Sequence, residues 1–132
     1  MRKIHYFLLS LLAQTTFSFA QLKPVQYHDG SQVLHGFQAN PAKKSIQKPG
    51  ILILPAWLGI DKHSKDTALQ LANLGYYAFV ADIYGEGNYP KDYSEAGKMA
   101  GSYKKDYTAY QKRITLALNQ LIKAGANPDN IV

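Results

Sequence analysis

The pattern of hydrophobic and polar positions changes character along the chain. Between Gln21 and Asn40, apolar Val25, Tyr27, Val33 and Phe37 are interleaved with polar Gln26, His28, Gln32 and Gln38. That two-residue period predicts half-buried strands, and Asp29-Gly30 between them is a hairpin signal. One face is therefore expected to be solvated. Asn40 to Ser45 and Lys48-Pro49-Gly50 carry loop chemistry. An uninterrupted aliphatic run, Ile51 to Leu54, follows and ends in Pro55-Ala56-Trp57-Leu58-Gly59. A run without alternation predicts a strand buried on both faces of a parallel sheet. In open α/β sheets the loop leaving the carboxyl end of such a strand is where ligands bind.

Next comes a helical pattern from Lys62 to Leu74, with Ala68, Leu69, Leu71, Ala72 and Leu74 apolar, Asp61 as N-cap and Gly75 as the stop. Tyr76 to Ala81 predicts a second buried strand, so the segment is a βαβ unit with a right-handed crossover. Gly85 to Pro90 is a loop and Asp92 to Tyr103 a weaker helix. From Asp106 a strong helix carries Tyr107, Tyr110, Ile114, Leu118, Leu121 and Ile122 at spacings of three and four, ended by Gly125, Asn127 and Pro128. Asn130-Ile131-Val132 then opens a third buried strand. A βαβα order that stops on a strand's first residues is read as the N-terminal part of a longer domain.

The first twenty residues stand apart. Arg2 and Lys3 precede a short apolar stretch, Tyr6 to Ala13, and Ser18-Phe19-Ala20 offers small residues at a cleavage site. This predicts a secretory leader cut after Ala20, and hence a secreted or periplasmic protein. The stretch is too short for a membrane span and is interrupted by Gln14, Thr15 and Thr16. No Cys occurs, which removes disulfides, thiolate metal sites and a lipidated cysteine. Net charge falls from +6 to +4 with the loss of Arg2 and Lys3. The remaining basic pairs, Lys43-Lys44 and Lys104-Lys105, are too short to form a nucleic-acid-binding stripe.

The order of apolar strand, Pro55-Ala56-Trp57-Leu58-Gly59 turn, helix with Leu71-Ala72-Asn73-Leu74-Gly75-Tyr76, and Ala81-Asp82-Ile83-Tyr84-Gly85-Glu86-Gly87 resembles the dienelactone hydrolase family of α/β-hydrolases. The resemblance runs from about Lys48 to Val132. It implies an α/β-hydrolase fold, cofactor-free and metal-free hydrolysis of a small ester or lactone through an acyl-enzyme, and a nucleophile elbow just beyond Val132. No Gly-x-Ser-x-Gly or Gly-x-Cys-x-Gly occurs in the chain, so the chain alone is expected to be inactive. Acyl transfer builds negative charge on a carbonyl oxygen, and preorganised N–H groups stabilise it. The resemblance gives this role to the backbone N–H of Trp57; the alternative is a core aromatic at a strand end. Candidate substrate-binding residues are Ala56 and Leu58 beside it, with Tyr84 and Tyr89 on the next loop. Family members with dienelactone activity carry Glu where this chain has Ala56, which puts that substrate in question.

Other chemistry-bearing residues read as scaffold. His63, Ser64 and Asp66 form a solvated helix start, because Ser64, one residue from His63 and two from Asp66, does not face either of them as nucleophile and base must. His28 and His35 flank the hairpin turn without a third metal ligand of suitable spacing. For Asp82, the resemblance implies a role in organising its loop. Tyr76, Tyr77, Tyr107 and Tyr110 are read as core, whereas Tyr84, Tyr89, Tyr93 and Tyr103 are left for a pocket or lid. A secreted, non-catalytic binding module on the same scaffold is the alternative function.

Overall fold

The computed structural model describes residues 19–132. The leader predicted for residues 1–20 thus lies outside the described residues, apart from Phe19 and Ala20. Strands β1 (Leu22–Asp29) and β2 (Gln32–Ala39) form the expected antiparallel hairpin. Asp29 pairs with Gln32, so the loop is Gly30-Ser31, one residue later than the Asp-Gly signal. Gly30 has φ +60° and Ser31 has no positive φ, the pattern of a type II′ hairpin turn. The displaced Asp29 closes β1 and accepts a 2.7 Å hydrogen bond from Arg113 Nε, with Lys112 also at its carboxylate.

The βαβ unit follows as β3 (Gly50–Ile53), α1 (Lys62–Asn73) and β4 (Tyr77–Val80). The sheet order is β1-β2-β4-β3, with β3 and β4 parallel and the other pairs antiparallel. Asp61 caps α1: its carboxylate accepts from Ser64 N at 2.8 Å, and Ser64 Oγ accepts from Asp61 N at 3.1 Å. Ser64 is thereby buried as a capping partner rather than solvated. Asp92 and Asp106 cap helices α2 (Tyr93–Lys105) and α3 (Tyr107–Ala124), their carboxylates accepting from Glu95 N and Ala109 N. Gly125, at φ +118°, ends α3 in the left-handed region.

Two apolar layers hold the sheet. Ala78 and Val80 of β4 and Ala39 of β2 pack on Ala68 and Ala72 of α1. On the opposite face Tyr77, Phe79 and Ala81 join Tyr27, Leu34, Ala117 and Leu121 under α3. Every residue of β4 is buried, which explains its apolar run without alternation. Phe79 lies over Gly36, where an added Cβ would come within 2.5 Å of the ring.

Several expectations differ. Ile51 to Ile53 are half-buried rather than buried on both faces, because β3 is an edge strand apart from a parallel bridge between Gly50 and Ile131. That bridge lies where the third strand was expected to open. On β2 the buried positions are Leu34, Gly36 and Ala39, while Val33 is half-buried, because Leu34 rather than Val33 packs into the core under α3. Tyr107 is 64% exposed on the first turn of α3, and Tyr76 precedes β4 half-buried. Neither is core.

Candidate active site

The loops leaving β3 and β4 meet at the carboxyl ends of these two parallel strands. After β3 the chain makes a turn closed by Gly59 N donating to Ala56 O at 2.9 Å. Neither Trp57 nor Leu58 has a positive φ, and Gly59 has φ +84°. The N–H groups of Ala56, Trp57 and Leu58 have no hydrogen-bond acceptor among the described residues. Trp57 is 56% exposed, so it is not a core aromatic.

Asp82 organises the loop after β4, as the family resemblance implies. It is buried, and its carboxylate accepts four hydrogen bonds. Oδ1 receives Tyr84 N at 3.1 Å and Gly85 N at 2.9 Å. Oδ2 receives His35 N and the Tyr89 hydroxyl, both at 2.8 Å. Tyr27 completes the knot: its hydroxyl accepts from Asp82 N at 2.9 Å and donates to Asp82 O. Burial pushes the Tyr27 phenol up to about 12. Burial, followed by the Asp82 hydrogen bond, also raises the Tyr89 phenol. Both hydroxyls thus keep their protons at neutral pH.

From this anchored loop Tyr84 reaches across to the first turn and donates to Trp57 O at 2.8 Å. The two loops enclose one side of a cavity of about 160 Å3, lined by Pro55, Ala56, Trp57, Ile83 and Tyr84. Helix α2 contributes Ala100, Tyr103 and Lys104, and α3 contributes Tyr110. The rings of Tyr84, Tyr103 and Tyr110 form a continuous wall, with centroids 5.9 and 6.1 Å apart. Lys104 is the charged residue of the lining.

Of the candidates from sequence, Ala56, Trp57, Tyr84 and Tyr103 come together at this cavity. Leu58 and Tyr89 lie outside its lining, about two-fifths exposed, and Tyr93 is more exposed still. Sequence reasoning missed Lys104 and assigned Tyr110 to the core alone. The signal was the spacing Ala96, Ala100, Tyr103, which puts one face of α2 against α3 and leaves Lys104 beside it. His28 and His35 are not opposite each other, because His28 pairs with Val33 and His35 with Gln26. Among the described residues no group of three His, Asp or Glu side chains is positioned for a metal ion, and no helix is long and apolar enough to cross a membrane.

Known proteins share this architecture. The chain is similar to a solved protein named m3DLH (24% identity, TM-score 0.77, covering 85% of this chain and 47% of that one). It is also similar to P91, a dienelactone hydrolase-like promiscuous phosphotriesterase from metagenomic libraries (25% identity, TM-score 0.76, 86% and 47% covered). A dienelactone hydrolase homologue from Klebsiella pneumoniae subsp. pneumoniae MGH 78578 matches at 15% identity and TM-score 0.66, with 85% and 48% covered. The chain thus spans about half the length of these structures. No curated protein sequence matches it. Residues 34–131, most of the described chain, match the dienelactone hydrolase family, and the chain belongs to that family.

Proposed function

We propose that the complete protein is a hydrolase that cleaves a carboxylic ester or lactone through an acyl-enzyme, and that residues 21–132 form the N-terminal part of its catalytic domain. Attack on the carbonyl carbon moves an electron pair onto the carbonyl oxygen. A preorganised donor stabilises that oxyanion by roughly 3 to 4 kcal/mol. The observation that carries the reading is the unpaired N–H of Trp57, on a turn beside an aromatic cavity at the end of a parallel strand. In α/β-hydrolases one donor comes from this kind of loop and the second from the residue after the nucleophile. That nucleophile is read as following Val132.

Ala56 lacks the carboxylate of the family's namesake enzymes, which favours a substrate other than dienelactone. A cavity of about 160 Å3 walled by three tyrosine rings suits a small, flat or apolar acyl group. The decisive experiment expresses the complete reading frame and follows p-nitrophenyl ester hydrolysis, with a phosphotriester tested in parallel. A burst of p-nitrophenol and loss of turnover when the elbow nucleophile is replaced by Ala support the acyl-enzyme. Unchanged turnover in that variant refutes it. Saturable ester binding without hydrolysis would favour a non-catalytic binding module. The leader is a companion proposal: the exported protein is expected to begin at Gln21 on N-terminal sequencing, and an intact Met1 would overturn it.

A further inference from the structure

The turn of residues 56–59 is held from two directions. Gly59 N–H binds the Ala56 carbonyl within the turn, which fixes the peptide linking Ala56 to Trp57. Because a trans peptide is planar, fixing its C=O also fixes the opposing N–H, here that of Trp57. The next peptide, Trp57 to Leu58, is the central unit of the turn and takes no part in the turn's own hydrogen bond. Its carbonyl has one partner among the described residues, the Tyr84 hydroxyl at 2.8 Å.

Tyr84 is well suited to hold that peptide. It is 7% exposed, and its own N–H is bound by the buried Asp82 carboxylate. Its ring packs against Tyr103, and an added Cβ at Gly59 would lie 3.5 Å from it. Burial raises its phenol, so the donor proton is retained well above neutral pH. A rigid aromatic lever therefore connects the loop after β4 to the turn after β3.

We propose that Tyr84 is the positioning residue of the Trp57 turn, its hydroxyl bond to the Trp57 carbonyl tethering the turn so that it stays closed and the Gly59–Ala56 bond keeps the Trp57 N–H in its reactive orientation. This rests on the proposed hydrolase reading for its catalytic consequence. Its structural consequence is independent of that reading. Loss of the hydroxyl removes the tether between the turn and the loop after β4, so the turn opens more often and breaks the Gly59–Ala56 bond that orients the Trp57 N–H, while the cavity wall stays in place.

The test is Tyr84→Phe in the complete protein, compared with Tyr84→Ala. Amide exchange at Gly59, followed by NMR, reports the closed turn directly. Tyr84→Phe is expected to speed that exchange about tenfold, with the amides of β4 unchanged. For p-nitrophenyl acetate its kcat is expected to fall about tenfold, with KM within twofold. Tyr84→Ala, which also removes the ring, is expected to raise KM as well. Wild-type Gly59 exchange in Tyr84→Phe overturns the positioning role. So does an accelerated turn with unchanged kcat in an active enzyme. If the wild-type protein lacks hydrolysis while Gly59 exchange still accelerates, the hydrolase reading fails and the hold on the turn stands.

Discussion

Asp82→Asn tests the loop architecture with the least change of shape. The carboxylate is buried and meets only donors: two backbone N–H groups at Oδ1, and one backbone N–H with one hydroxyl at Oδ2. An amide must turn its NH2 toward one of those pairs. Facing Oδ1's partners, it would orphan two N–H groups. Facing Oδ2's, it would orphan His35 N–H, while the Tyr89 hydroxyl can reverse and accept. The second arrangement is cheaper, and a buried donor left unpaired costs about 1–3 kcal/mol. Loss of charge assistance on the remaining bonds adds to this, giving about 2–4 kcal/mol in all. Urea unfolding of the complete protein, monitored by circular dichroism, measures the shift in midpoint at constant slope. A loss below about 0.5 kcal/mol would refute the claim that these four bonds organise the loop.

Other consequences are as direct. Phe79→Ala empties the centre of the α3-side core and is expected to cost about 3–5 kcal/mol in the same unfolding assay. Gly36→Ala is expected to cost about 1–3 kcal/mol, because its Cβ meets Phe79 at 2.5 Å and the adjoining backbone cannot yield. Lys112 first, and then Arg113, hold the Asp29 carboxyl below its usual range. A folded-state value below the unfolded one gives stability that is complete above the unfolded carboxylate range and lost as pH falls through the depressed value. Asp29→Asn should therefore flatten the acid limb of stability against pH, and an unchanged limb would remove Asp29 from its causes.

Much of the scaffold is legible in the sequence because its determinants are local. Asp61, Asp92 and Asp106 cap helices through the N–H three residues ahead, and Gly125 ends α3 at positive φ. The apolar run of β4 follows from helices on both faces. Asp82 is read as a loop organiser from the family resemblance, and the structure shows why a local motif suffices: two of its partners, Tyr84 and Gly85, are its near neighbours. Positions set by tertiary contact were less visible. In the hairpin, the loop is Gly30-Ser31 with Gly30 in the first II′ position, and Asp29 instead closes β1, where it meets Arg113, far away in sequence. Periodicity put Tyr107 on the apolar face of α3, but only later turns of that helix reach the sheet. The cavity was half legible. Its loop residues sit at strand ends, where α/β sheets place ligands, whereas Lys104 and Tyr110 enter only through the packing of α2 on α3.

The central claim is that the Trp57 backbone N–H stabilises an oxyanion, and one pair of variants isolates that group. Trp57→Ala removes the indole and keeps the N–H. Trp57→Pro removes both, at the second position of the turn, where proline's fixed φ is tolerated. The measurement is kcat for p-nitrophenyl acetate in the complete protein carrying each change. The account predicts that Trp57→Pro falls about 100- to 1000-fold below Trp57→Ala, the effect of losing one oxyanion donor. Equal kcat values in two folded variants would contradict it.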